Sequence, residues 1–468
     1  MSRINTNVVS LIAQRVLGRN QSDLNTSLAR LSTGLKINTG ADDPAGLIAS
    51  ENLRAERAGI QAAIDNASRA NNIVGTAEGG LNEVSALLTQ LQGLVAQSAN
   101  TGGLSQEEVA ANQLQVDSIL STINRVAGST SFQGLQLLNG NFDYLTSGVN
   151  TSQISALRVN AAAIPDGATV NVVVNVTQSA QTGVVTYSGG NIGAGGATIL
   201  VAGTKGAQQL SFASGTTVSG IANAINAVKA ATGLSAQVSG TALRINSTDY
   251  GSKAFVSVTT VSGTFTPSVN KDFGRDALVN VNGATATANG RDVSFRSSGI
   301  DIEFTLGNSV NKNNGSSSFQ ITGGGATFSL ASRVTENAKA SIGIGSVTTA
   351  NLGNANLGFL NSIGSGGANS LSSGSLVRAQ EILSAATKQV SQLRGRLGAF
   401  QKFIVASTVN NLGVALENAS AAESAIRDTD FAAETSRLTR AQILSQASTT
   451  VLSQANAAPQ NVLSLLRG

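Results

Sequence analysis

Helical periodicity at both ends of the chain, with a switch to period two between them, restricts the available folds more than any other feature. Leu24, Leu28, Leu31 and Leu35 recur at 4, 3, 4 spacing, the pattern of a heptad seam. "TGADDPAG" then interrupts: Gly40, Pro44 and Gly46 break the helix, and Asp42 and Asp43 are placed to cap the next one. From Leu47 to about Asn100 there are few breakers, and Leu53, Ile60, Ile64, Ile73, Leu81, Val84, Leu88, Leu91 and Leu94 recur at helical spacing. About fifty helical residues would run roughly 75 Å. A third helix is expected over about 105–128, where Ser105 and Glu108 form a capping box. Ile382, Val390, Leu393, Leu397, Phe400 and Ile404 carry the same period near the other end, continued by Leu412, Leu416, Ile426, Leu438, Leu444 and Val451. Pro459 should kink this last stretch or start a new turn.

Between about 145 and 370 the text becomes rich in Gly, Ser, Thr and Val. "TVNVVVNV" puts Val170, Val172, Val174 and Val176 on one face, and "IDIEFTL" alternates Ile300, Ile302, Phe304 and Leu306 with polar residues. These are half-buried strands. One helix is embedded, with Val218, Ile221, Ile225 and Val228 ending at Gly233. "NGATATANGRD" is expected to be a turn joining two further strands. The fold class is therefore α+β and multidomain: a long antiparallel helical rod or coiled coil built from both chain ends, with a β-rich inserted outer region. The expected domains are 1–45 with 415–468, 46–145 with 370–414, and the insert 146–369. Within the insert, sub-modules are expected at about 195–262, containing the helix, and at about 270–340.

Composition removes whole classes of function. The chain has no Cys, His or Trp. Thiolate chemistry, an imidazole base and an ordinary zinc site are therefore absent. Asp42 and Asp43 sit in a breaker before a helix, where capping explains them better than a metal or an acid–base pair. "GGG" at 323–325 has no Gly-Lys-Ser/Thr after it and is a turn, not a phosphate loop. No enzyme, cofactor or metal is expected. A net charge of +4 with no basic run argues against nucleic acid. No apolar run reaches the roughly 18–20 residues of a membrane span, and the start lacks the features of a cleaved signal. Arg394 and Arg396 are expected on a solvated or inter-subunit face. Asn175 lies in an Asn-Val-Thr triplet on an expected strand.

Chain ends are usually polar and frayed. Here Ile4, Val8, Leu11 and Ile12 open the chain, and Val462, Leu463, Leu465 and Leu466 close it. Something has to cover them.

"LNTSLARLSTGLKINTGADDPAGLIASENL", "AEGGLNEVSALLTQLQGLVAQSAN" and "QILSQASTTVLSQANAAPQNVLSLLRG" closely resemble bacterial flagellin, the subunit of the flagellar filament. The likeness covers about 1–145 and 375–468. "GAQQLSFASGTTVSGIANAINAVKAATGLSAQVSG" is similar, more loosely, to a small module found in flagellins and some hook-associated proteins. The resemblance implies a terminal domain lining the filament core, a rod outside it and an exposed outer region. It also implies self-assembly for swimming motility and a secreted, extracellular location. The implied partners are other copies of the chain, the flagellar type III export apparatus and a chaperone, and hook-associated and cap proteins, with no nucleic acid and no membrane. The polymer interface is expected at Ile4, Val8, Leu11, Leu24, Leu28, Leu31, Leu35, Val451, Val462, Leu465 and Leu466. Leu94 and Gln97 match a rod helix that a vertebrate innate receptor reads in some flagellins. Gln90, Gln92 and Gly93 stand where activating members carry charge, so strong activation is not expected. A hook–filament junction protein, or a secreted adhesin carried by the insert, are the alternatives. The apolar "QNVLSLLR" ending favours flagellin.

Overall fold

A computed structural model describes residues 6–100, 103–165, 168–297, 299–335, 338–354, 357–372 and 375–467, with side chains as far as 458. The chain divides into two compact units, Met1–Ser68 with Leu330–Val334 and Ala406–Gly468, and Arg69–Ser329 with Thr335–Val405. Its helices are α1 (Val8–Thr33), α2 (Pro44–Ser98), α3 (Gln106–Ser129), α4 (Val218–Ala227), α5 (Lys229–Thr232), α6 (Leu376–Ala399), α7 (Ala406–Arg427) and α8 (Phe431–Arg467). The α2 residues before Arg69 belong to the first unit and the rest to the second.

In the first unit α1 lies antiparallel to α8. Asn7 caps α1, accepting from Ser10 N at 3.0 Å, and Gly34 ends it at φ +73°, where its N–H reaches Arg30 O. Of the two expected caps only Asp43 holds the next helix start, accepting from Gly46 N at 2.9 Å, whereas Asp42 ties the preceding loop by accepting from Asn38 N and Thr39 N. The beginning of α2 is tied to α7 by Arg427–Glu51 at 2.9 Å and by an Arg57–Glu423 pair. The α8 backbone stays helical past Pro459.

In the second unit, the later part of α2 buries Ala70, Val74, Ala77, Leu81, Val84, Leu88, Leu91 and Val95 in an unbroken heptad repeat. The expected Ile73 is only half-buried because the seam runs through Val74 and the alanines. α6 answers with Ala379, Leu383, Ala386, Val390, Leu393 and Leu397, and α3 with Val116, Leu120 and Ile123. Each fully buried Leu or Val contributes about 1.5–3 kcal/mol. Glu78–Arg394 at 2.8 Å joins α2 to α6, and Asn112 donates to Ser98 Oγ at 3.2 Å between α3 and α2. Ser105 and Glu108 complete the expected capping box. After α6 the backbone winds through a π-type turn, Phe400–Val405. The wider turn shifts the helical phase, so Val405 is buried and Ile404, expected inward, is exposed.

Eight antiparallel strands form the main sheet, in the order Tyr144–Ser147, Gly315–Gly324, Val170–Gln178, Leu278–Val281, Ala284–Asn289, Asp292–Arg296, Ile300–Leu306, Ile154–Ala162. Its core holds Val172, Val174, Val176, Val279, Val281, Ile302, Phe304, Leu306 and Phe319. Three of its strands precede residue 180, so the sheet is not the contiguous sub-module expected at 270–340: the pairing is non-local and leaves no sequence trace. "NGATATANGRD" is a strand between two Asn-Gly turns, with Gly283 at φ +84° and Gly290 at φ +64°, not a single turn. The helix-containing module packs α4 against a four-stranded and a three-stranded sheet, with Ile221 and Ile225 fully buried. It is wider than 195–262, because Val184–Tyr187 pairs with Ala242–Ser247 and Lys271–Phe273 with Phe255–Gly263.

Candidate functional site

The helix pair at the chain ends carries the residues singled out for assembly. In α1 the inward positions are Ser10, Ala13, Leu17, Asn20, Leu24, Ser27 and Leu31; in α8 they are Glu434, Leu438, Ala441, Ser445, Ser448, Leu452 and Ala455. Both sets repeat at heptad spacing, so this is a two-helix coiled coil with a seam largely of small and polar residues. Hydrogen bonds set its register. Asn7 Nδ2 donates to Ala455 O at 2.7 Å, Ser10 Oγ to Asn456 Oδ1 at 2.6 Å, and Asn20 Nδ2 to Ser448 Oγ at 2.6 Å. Glu434, buried, lies 3.8 Å from Arg30 and 3.2 Å from Arg437.

Apart from the seam leucines, the large apolar side chains point the other way. Val8 is 54 % exposed, Leu11 59 % and Val451 56 %. Val9, Ile12, Val16, Ile443 and Leu444 are exposed as well. Val8, Ile12 and Val16 follow at four-residue steps and make one ridge along α1. Val8 and Leu11, expected at the polymer interface, are thus not covered within the pair: small side chains let the backbones approach, and these bulky ones are left outside. Leu28 is likewise exposed; Ser27 holds the seam position assigned to it, while Leu24 and Leu31 are half-buried in the seam. Leu35, half-buried, leaves the helix and bridges to Asp428. Ile4 lies outside the described residues, as do the side chains of Val462, Leu465 and Leu466. Leu94, half-buried, and Gln97, exposed, lie on α2 in the other unit. The small-residue heptad was in the sequence, and counting Ser and Ala as seam residues would have found it.

No cluster of metal-ligating side chains occurs among the described residues, and none of their helices is long and apolar enough to cross a membrane. What the surface offers is apolar area on a rigid helix pair, the raw material of a protein–protein contact.

Comparison with known proteins points the same way. Residues 4–143 match the bacterial flagellin N-terminal helical region and residues 381–466 the C-terminal helical region. The chain is 32 % identical to a flagellin of Salmonella choleraesuis and 31 % identical to polar flagellin B/D of Vibrio parahaemolyticus, covering 99 % of both chains in each case. It is 29 % identical to the B-type flagellin of Pseudomonas aeruginosa over the same shares. With both helical regions matched and the relatives aligned end to end, the chain belongs to the bacterial flagellin family, the self-assembling structural subunits of the extracellular filament that drives swimming.

Proposed function

We propose that the outward apolar face of the α1–α8 coiled coil is the surface through which subunits contact one another in the filament. It comprises Val8, Leu11, Leu28 and Val451 together with Val9, Ile12, Val16, Ile443 and Leu444. The observation that carries this reading is the division of the coil: its seam mixes five leucines with small and polar residues, while Val8, Val9, Leu11, Ile12, Val16, Ile443, Leu444 and Val451 face solvent. At about 25 cal/mol per Å² of apolar area, covering such a ridge on neighbouring copies offsets the cost of ordering them. Ile4, Val462, Leu465 and Leu466 extend the same surface on the strength of the sequence. Residues 1–45 with 415–468 are assigned to the filament core, 46–145 with 370–414 to the rod, and 146–369 to the outer region. Family membership supports export through the flagellar type III apparatus with a chaperone, and contact with hook-associated and cap proteins. It also supports weak reading of the Leu94–Gln97 helix by the innate receptor, since Gln90, Gln92 and Gly93 supply no charge.

The test is Leu11→Asp combined with Val451→Asp. Both side chains are more than half exposed, so monomer melting by circular dichroism should be unchanged. Light scattering of seeded monomer should show no growth, because two carboxylates per subunit enter an apolar contact that every copy repeats. Normal filament growth by the double variant would refute the assignment.

A further inference from the structure

A cavity of about 300 Å³ lies in the second unit, between the later part of α6 and the sheet strand Ile154–Ala162. Its volume is at the small end of ligand pockets, which run from about 300 to 1,000 Å³. Two guanidiniums line it, Arg158 from the strand and Arg396 from α6. Arg396 was expected on a solvated or inter-subunit face; instead it is largely buried here, and its Nε is inaccessible and has no hydrogen-bond partner. Among the described residues neither guanidinium makes a hydrogen bond or an ion pair.

The carboxylates nearby are engaged elsewhere. Asp301 accepts from the buried Asn160 Nδ2 at 3.0 Å and pairs with Arg296 at 3.2 Å. Glu303 lies 3.8 Å from the same Arg296. Asp143, the third acid, itself lines the cavity and accepts from the adjacent Tyr144 N at 2.9 Å. Burial pulls both buried arginines below the usual guanidinium range, opposed by Glu303 and Asp143 for Arg158 and by Glu303 and Asp301 for Arg396. The same burial pushes the Asp143 carboxyl up, toward its neutral form.

The strand is bent to present Arg158. Its pairing slips at Glu303/Thr305 and again at Asp301/Ile302, two bulges on either side of Arg158. In the first of them Ala156 sits at φ +50°, a left-handed conformation that a residue with a Cβ adopts only when its surroundings enforce it. Bulges of this kind re-aim side chains. Two neighbouring buried cations without direct acceptors are unfavourable, and a planar guanidinium fork matches a phosphate or carboxylate edge.

We propose that this cavity binds a small oxyanion, phosphate- or carboxylate-type, held between Arg158 and Arg396. The assignment is independent of the assembly surface, which lies in the other unit. The test is calorimetric titration of the full-length monomeric chain with inorganic phosphate and, separately, with acetate, at ionic strength held constant with sodium chloride. One of the two should give saturable one-to-one heat, and which one does so identifies the oxyanion geometry. Arg158→Gln and Arg396→Gln should each weaken it tenfold or more, and Arg291→Gln, remote from the cavity, less than twofold. Should the glutamine variants fail to fold, wild-type chain labelled with ¹⁵N-arginine decides the matter. The Arg396 Nε–H resonance, assigned with Arg396→Lys, must move on adding the binding anion. No saturable heat from either anion, equal binding by the folded variants, or an unmoved Nε–H would overturn the proposal.

Discussion

In α1 and α8 the residues turned inward include Ser10, Ala13, Asn20, Ser27, Ala441 and Ala455, whereas the eight-stranded sheet turns in Val172, Val174, Ile302, Phe304 and Phe319. Apart from Leu145 and Leu278 at strand ends, the sheet keeps most of its large apolar side chains for itself. The terminal coil puts Val8, Leu11, Ile12 and Val451 on its outside. One region covers its apolar side chains alone, and the other leaves them for the neighbouring copy proposed above. Mean composition would not separate them, since both contain Val, Ile and Leu; what differs is the face on which those residues stand. A self-assembling subunit needs both kinds of region. A coil that satisfied its own apolar surface would have little reason to polymerise, and a sheet that did not would aggregate.

Val174→Asp gives the largest contrast with substitutions on the coil exterior. Val174 is fully buried between the strands Leu278–Val281 and Gly315–Gly324. An unpaired carboxylate there should cost about 4 kcal/mol or more. Amide exchange across the sheet strands should become fast while α1 and α8 keep their protection. A melting change as small as that expected for Leu11→Asp would mean that the two regions do not differ in the way described.

Much of this was legible beforehand, for identifiable reasons. The sheet strands announced themselves because alternation is read locally: Ile300, Ile302, Phe304 and Leu306 are all buried, with Asp301, Glu303 and Thr305 between them less so. The caps at Asp43 and Ser105 are equally local. What sequence could not give was partnership. Strands Tyr144–Ser147 and Gly315–Gly324 pair across some 170 residues of chain, and nothing in either segment names the other. The coil seam is hidden in the sequence for a different reason. A leucine pattern draws the seam through Leu28, whereas the seam residue is Ser27, whose small polar side chain carries no hydrophobic signal. Arg396 was placed on an outer face because a charged residue on a helix usually is, and only the sheet packed beside α6 encloses it.

Asn20→Leu sharpens the claim that the coil seam trades stability for register. Asn20 donates to Ser448 Oγ and, at 3.3 Å, to Leu444 O. Ser448 keeps its own bond to Leu444 O at 2.6 Å, so removing the amide orphans no hydroxyl. A leucine at a seam position should then add about 1 kcal/mol, seen as slower amide exchange in α1 and α8. Polar seam residues specify register at a cost in stability, so the variant should also show more than one alignment by cross-linking between the two helices. A less stable coil would mean that the amide is worth more than the apolar area it displaces.

The smallest expected effect compares two carboxylates that do the same job in the two regions. Asp276, beside the helix-containing module, accepts from Gly290 N at 2.6 Å, Ser252 N at 3.0 Å and Ser252 Oγ at 2.5 Å. Asp42, in the loop before α2, accepts from Thr39 N at 2.8 Å, Thr39 Oγ1 at 3.0 Å and Asn38 N at 3.1 Å. Burial alone would raise the Asp276 carboxyl, but the Ser252 hydroxyl and the two N–H groups more than offset it and hold it below the usual range. Asp42 is lowered chiefly by the Thr39 N–H. A lowered folded-state value means that each ionised carboxylate stabilises the fold above its ordinary value of 3.8, and that this contribution disappears as pH falls through the lower folded value. Asn keeps the carbonyl acceptor and loses the charge, so Asp276→Asn should cost about 1 kcal/mol near neutral pH. Asp42→Asn should cost less, because its bonds are solvated. The gap between each variant and the wild type should stay constant from pH 7 to about 5 and close in stronger acid. Amide exchange of the Asn289–Gly290 turn and of the start of α2 would track the two sites separately. An Asp276→Asn gap that widened in acid would mean that the charge is a burden to the module rather than its anchor.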